Sequence, residues 1–229
     1  MDKSNNRTNK KNKPNESTKQ VEEQVVASEQ QSTSGNIGTN ITTGSGTNNS
    51  RIVADLGLDI STSVTALCVL GEDHKMLELI PIKLATKFDN LWDKANEVKR
   101  VFQESVEPKY LIKRIFVEEN AKRFSQGFTS ADTILTLAKM NGIVSYIAKC
   151  MFTGSQVCDV NVRSARAKLG IKVSGKNQKD QVYEHVLKNH PDFPWATHIV
   201  KGQIVYNAYN KDMSDAYVIC RAGQIIFSS

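Results

Sequence analysis

Two β-branched apolar runs, RIVADLGLD at residues 51–59 and VTALCVL at residues 64–70, are separated only by Ile60-Ser61-Thr62-Ser63. A parallel pairing would need a crossover of about a dozen residues or more, so this spacing leaves an antiparallel hairpin as the way to bury both runs. Gly71-Glu72-Asp73 reads as the next turn and Met76 to Ile82 as a third strand, which together make a meander. The first run ends on a carboxylate, Asp59, where a buried strand favours another aliphatic side chain.

Downstream the period changes. From Phe88 to Val106 the residues Leu91, Trp92, Ala95, Val98, Val101, Phe102 and Val106 recur at spacings of three and four, which predicts an amphipathic helix ended by Pro108. Arg114 to Val117 is a short apolar strand that runs into Glu118 and Glu119, so a second buried strand closes on carboxylates. Thr129 to Met151 predicts a long helix, capped by Thr129 or Ser130, whose apolar positions cover more than half its circumference. Such a helix is expected to be buried on two sides, by the sheet and by something else such as another subunit, with Gly142 permitting close approach. Gln156 to Val160 is a further strand, and Val162 to Leu169 and Lys176 to Asn189 are basic helical segments with Ser174-Gly175 between them. An irregular stretch is expected after His190-Pro191-Asp192-Phe193-Pro194, and Asp212 to Ile226 closes the chain as a helix. The plan is mixed α/β, an antiparallel meander leading into parallel strands flanked by helices.

These elements occupy residues 51–229. Residues 1–50 consist mainly of Asn, Ser, Thr, Gln, Gly and Lys without an aromatic side chain, and are expected to be a disordered tail with a transient helix over Lys19 to Gln30. The tail lacks the apolar h-region of a secretory signal, and Glu16, Glu22, Glu23 and Glu29 do not suit a transit peptide. No apolar run approaches the roughly 20 residues that span a bilayer, so a soluble protein without a membrane partner is expected. Cys68, Cys150, Cys158 and Cys220 lie beside aliphatic neighbours without C-x-x-C spacing and read as reduced core cysteines. That places the chain in an intracellular, reducing compartment, whether nucleoid, cytoplasm, viral replication site or organelle. The four histidines have no metal-ligand spacing.

Net charge is +6, and Arg163, Arg166, Lys168, Lys172, Lys176 and Lys179 fall between Asn161 and Lys179 without an acidic residue among them, which suits a polyanionic partner. Set against that segment are four carboxylates at element ends: Asp59, Glu118, and Asp212 with Asp215, which share one side of the last helix. Taken singly, Asp59 fits an Asx-turn with Ser61, Asp212 fits a helix N-cap, and Glu118 fits an exposed strand end. Together, if the two strands are neighbours, they meet at one sheet edge, where clustered carboxylates need a compensating cation. Magnesium suits hard oxygen donors, and two such ions can drive phosphodiester cleavage, so the composition is that of a nuclease.

The motifs LGLDISTSVTALCVL, RIFVEENAKRF and DMSDAYVI resemble those of the RuvC family of Holliday junction resolvases, within the RNase H-like superfamily. VRSARAKLGIKVSGKNQKDQV is similar to the family's basic segment, and the resemblance runs in order through nearly all of residues 51–229. Ile60-Ser61 and Ala66 depart from the Pro-Gly and Gly that the family often carries, which leaves the local loop shape open. The resemblance implies a crossover junction endodeoxyribonuclease holding two Mg²⁺, with Mn²⁺ as a substitute, on Asp59, Glu118, Asp212 and Asp215. It gives Lys179 a catalytic role at the scissile phosphate and makes Arg163, Arg166, Lys168, Lys172 and Lys176 DNA contacts. Phe124 or Phe128 is the counterpart of its junction-wedging aromatic. It further implies a homodimer packed through the helix around residues 129–151 and a branched-DNA partner. The alternatives are an RNase H-like nuclease on RNA/DNA hybrids or other branched DNA, an actin-like ATPase, and a non-catalytic DNA-binding protein.

Overall fold

β1 (Ile52–Asp59), β2 (Val64–Gly71) and β3 (Met76–Lys83) form the expected antiparallel meander in the computed structural model, which describes residues 50–119 and 131–228. β4 (Tyr110–Glu118) pairs parallel to β1, and β5 (Gln156–Val160) pairs parallel to β4, giving one sheet of order β3-β2-β1-β4-β5. β1 is the central strand, and its burial on both faces explains why it reads as a continuous apolar run.

Alternation along the strands separates two cores. Leu56 and Leu58 face a cluster with Ala95, Val98 and Phe102 of the first helical segment and with Met140, Val144 and Ala148. This layer is α1 (Leu91–Val101), continued by a π turn over Phe102–Val106, and α2 (Ala131–Met151). The α-helix was expected to reach Val106. Instead the Glu107 amide donates to the Phe102 carbonyl at 2.9 Å, five residues back, and Phe102 and Val106 are both buried through this wider turn. Asn90 caps α1, its carboxamide oxygen accepting from the Asp93 amide at 2.9 Å. The other face of the sheet carries α3 (Val162–Lys168), α4 (Gln178–Asn189) and α5 (Asn210–Ile226), packed on Phe116, Cys158 and Val160.

α5 is buried along almost its whole length and lies unusually close to the sheet. A Cβ on Gly57 would stand 2.4 Å from Cys220 Cβ and 2.7 Å from the Ala216 carbonyl oxygen, and one on Gly223 would stand 2.4 Å from the Phe116 ring. Gly57 therefore sets the depth at which α5 seats on β1, because backbone cannot yield as a flexible side chain does. Gly57→Ala is expected to destabilise the fold by about 1–3 kcal/mol, the usual cost of overpacking. A lowered urea midpoint at unchanged slope would show it, and an unchanged midpoint would mean that α5 shifts freely.

Two expectations are corrected. The stretch after Pro194 is not irregular: β6 (Thr197–Val200) and β7 (Gln203–Tyr206) form a separate two-stranded hairpin. The cysteines are free, but Cys150 is exposed on α2, beside Tyr146, Ile147 and Met151 at a cleft rather than in the core. α2 buries Met140, Val144 and Ala148 against the sheet and leaves Leu135 and Tyr146 exposed, so its second apolar side is uncovered in the single chain. The proposed caps Thr129 and Ser130, the aromatics Phe124 and Phe128, and the expected N-terminal tail through residue 49 lie outside the described residues.

Candidate active site

Parallel pairing of β1 with β4 matches Leu58 to Val117, which brings Asp59 and Glu118 to the same end of adjacent strands. Asp59 lies in step with Gly57, and Glu118 with Phe116; both of those residues meet α5. The two carboxylates thus point to the α5 side. There the first turns of α5 supply Asp212 and Asp215, and the start of α4 supplies Lys179.

Lys179 is the hub. Its Nζ lies 2.9 Å from Asp212 Oδ1, 3.3 Å from Asp215 Oδ2 and 3.5 Å from Asp59 Oδ2. Asp59 is buried, and its Oδ2 has no hydrogen-bond partner. Desolvation pushes the Asp59 pKa up to about 8 against the pull of Lys179, with Asp215, Glu118 and Asp212 adding to the rise. Burial and Asp215 likewise raise Glu118, against Lys179, Arg166 and a hydrogen bond with Asp59. Burial also raises Asp215, opposed by Lys179 and Arg166. For Lys179 the balance runs the other way: burial disfavours its charge, but Asp59, Asp215 and Asp212 outweigh that and hold the ammonium protonated far above its ordinary value.

The turn reading of Asp59 does not describe the loop. Ser61 Oγ accepts from the Ser63 and Val64 amides at 3.3 and 3.1 Å and donates to the Val64 carbonyl at 2.7 Å, so the serine closes the turn. Ile60 packs against the core and Lys94 Nζ donates to the Thr62 carbonyl at 2.8 Å. A cleft lined by Ile60, Glu118, Ile134, Leu137 and Asn141 opens beside Glu118. Asn141 donates to the Glu118 carbonyl at 3.2 Å, tying α2 to the end of β4.

No family model matches the chain, and no curated protein matches its sequence. Among solved structures, Thermus thermophilus RuvC in complex with a Holliday junction substrate aligns at TM-score 0.51 and 14% identity, covering 78% of this chain and 97% of that one. The fold is that of RuvC. A second T. thermophilus RuvC structure aligns at TM-score 0.48 and 15% identity, covering 76% of this chain and 95% of that one. The yeast mitochondrial Holliday junction resolvase Ydc2 aligns at TM-score 0.47 and 14% identity, covering 75% and 77%.

On this RuvC-like frame the basic residues divide. Arg163, Lys168, Lys172 and Lys176 are exposed along α3 and the loop to α4. Arg166 turns inward: its side chain is 12% exposed, Nη2 lies 3.9 Å from Asp215 Oδ1, Nη1 donates to Gln178 Oε1 at 3.0 Å, and Nε is buried without a partner. Its placement is that of a group facing Asp215 rather than one spread over the surface.

Sequence reading passed over Asp55, a second buried carboxylate of β1. Arg114 grips it with Nε and Nη2 at 2.9 and 2.6 Å, and Gln224 of α5 donates to it at 3.0 Å. His74 Nδ1 pairs with Gln224 Oε1 at 2.8 Å, so this network fastens α5 to the sheet away from Asp59. Its signal in the sequence is a charged residue inside an apolar strand with Arg114 matched to it on the neighbouring strand.

The donor set fits a hard divalent cation in charge and chemistry. Four carboxylates face two cations, Lys179 and Arg166, and one buried oxygen, Asp59 Oδ2, has the Lys179 ion pair but no hydrogen bond. Among the described residues no three His, Cys, Asp or Glu side chains are drawn to ion-binding spacing. The Lys179 ammonium stands at the point on which three of the carboxylates converge.

Proposed function

We propose that this chain is a divalent-metal-dependent endodeoxyribonuclease that resolves four-way DNA junctions by paired, symmetric cuts. The observation that carries the reading is the meeting of Asp59, Asp212 and Asp215 on Lys179, with Glu118 beside Asp59, at one edge of a sheet with the RuvC fold. RuvC sharing this fold is known in complex with a Holliday junction substrate, which supports branched DNA as the substrate class.

Asp59, Glu118, Asp212 and Asp215 would hold the ions, Mg²⁺ with Mn²⁺ as a substitute. When bound, two such ions supply an activated water and neutralise charge at the scissile phosphate. The chain's own contributions are separate. Lys179 keeps half its side chain exposed, so its ammonium is positioned to meet charge developing on a phosphate oxygen. Arg166 steadies Asp215 from the side opposite solvent. Arg163, Lys168, Lys172 and Lys176 offer exposed positive charge for phosphates and fix register without reading sequence. Paired cuts need two sites, and an uncovered apolar face supports a homodimer: Trp92 is 68% exposed and Tyr146 71%, and Gly142 has open space over it. Among the described residues no helix is long and apolar enough to cross a membrane.

A gel assay on a synthetic mobile junction, labelled on each strand in turn and run with Mg²⁺, tests the reading. Two nicks at symmetric positions are expected, together with two chains per particle in light scattering. Faster cutting of an RNA/DNA hybrid than of the junction would replace this reading with that of a hybrid nuclease.

A further inference from the structure

The β6–β7 hairpin is the most exposed regular element among the described residues and has no role in the site just described. All eight of its strand residues are exposed. Its turn, Lys201-Gly202, holds φ of 49° and 80°, the left-handed pair that matches strand twist in a two-residue hairpin. Pairing sets Ile199 opposite Ile204 and Thr197 opposite Tyr206 on one face, with Ile199 75% exposed and Ile204 74%. Two β-branched side chains at that exposure form an apolar tip that water covers at a cost.

The root of the hairpin is rigid. Asn210, fully buried at the start of α5, accepts from the Ala196 amide at 3.0 Å and donates to the Ala196 carbonyl at 2.9 Å. The Asn207 amide closes on the same carbonyl at 2.9 Å. Tyr183 of α4 meets Trp195 edge-on at 5.5 Å and Tyr206 at 6.4 Å. Asn210 lies two residues before Asp212, and Tyr183 lies one helical turn after Lys179. The hairpin therefore stands on the same two helices that carry half of the candidate site, and four-residue strands extend it by about 13 Å.

We propose that this hairpin is a wedge whose Ile199–Ile204 tip inserts among unstacked bases at the branch point of the DNA, a proposal that rests on the junction-nuclease reading. Charge selects the occupant. From Phe193 to Asn210 the chain holds Lys201 and His198 and no acidic residue, while Lys211 at the root is paired with Asp180, so the charge beside the apolar tip is that of Lys201 in the turn. That combination suits phosphates flanking apolar base faces, and apolar side chains are common wedges at unstacked steps. Two copies packed through the same face would bring like charges together at open strand edges.

The double variant Ile199→Thr/Ile204→Thr removes the apolar tip while keeping β-branched side chains on an exposed surface. A junction carrying 2-aminopurine at the branch point, bound in EDTA, is expected to brighten with wild type and to stay dim with the variant. In Mg²⁺ the variant is expected to cut the junction at least tenfold more slowly, with its light-scattering mass unchanged. Equal brightening and equal cutting would overturn the wedge alone, and a fall from two chains to one would show that a second copy covers the tip. Wild-type protein that neither binds nor cuts the junction would overturn the nuclease reading, and the wedge with it.

Discussion

Asp59→Asn is expected to abolish strand cutting while leaving junction binding in EDTA within a few-fold of wild type. The carboxylate sits at the end of the central strand, buried, with its Oδ2 free of hydrogen bonds and 3.5 Å from Lys179. The amide keeps the shape and removes the charge that would hold a cation. Losing a metal ligand forfeits several kcal/mol of transition-state stabilisation, which at about 1.4 kcal/mol per decade is a rate loss on the order of 10³-fold or more. Binding survives because the exposed basic residues, not Asp59, meet the surface. Asp55→Asn is the contrast on the same strand and face. It loosens the Arg114 grip and the Gln224 contact, so it is expected to lower stability by a few kcal/mol and yet cut at a normal rate well below its unfolding temperature. Cutting at the wild-type rate by Asp59→Asn would refute the site, and inactivity of both variants at low temperature would show that Asp59 acts through the fold.

These two aspartates mark how far the sequence could be read. Asp59 was visible because it ends an apolar run just as Glu118 ends another, and strand ends are where a sheet presents chemistry. Asp55 was not, because its partners lie 59 and 169 positions away and only the register of β1 with β4 and the seating of α5 bring them together. The alternation and helical periods placed the sheet, α1, α2 and α5 within a few residues, since each buries one continuous apolar surface. β6 and β7 escaped because they bury nothing: Ile199-Val200 and Ile204-Val205 are too short to show a period and join no larger sheet. Arg166 was read with its basic neighbours, yet a helix of α3's pitch sends one side of the run inward, where Asp215 receives it.

The metal-free protein is expected to lose stability as pH rises from about 5 to about 8, and a divalent cation to reverse the loss. Asp59 titrates near 8 in the fold against 3.8 when free, and Glu118 and Asp215 are raised as well, chiefly by burial. Between those limits the folded protein holds protons that the unfolded chain has released. Unfolding then releases protons, so rising pH favours the unfolded state and the stabilisation present at acid pH is gone above about 8. His190, depressed by burial and by His185, acts in the opposite sense below 6.5, so the comparison must be made between variants. The cluster's contribution is on the order of 2–4 kcal/mol, which for a domain of this size shifts Tm by about 10 °C. Asp59→Asn is expected to flatten the decline and to raise Tm at pH 8 in EDTA, the reverse of its effect on cutting. Added Mg²⁺ binds the deprotonated carboxylates and stabilises wild type by about 2.7 kcal/mol at a hundred times its Kd, most strongly at pH 8, and leaves Asp59→Asn nearly unmoved. Thermal melts of both proteins at pH 5 and pH 8, with EDTA and with Mg²⁺, decide it. A wild-type Tm that rises with pH in EDTA, or a variant that gains as much from Mg²⁺ as wild type, would mean that Lys179 alone compensates the carboxylates and that no cation belongs among them.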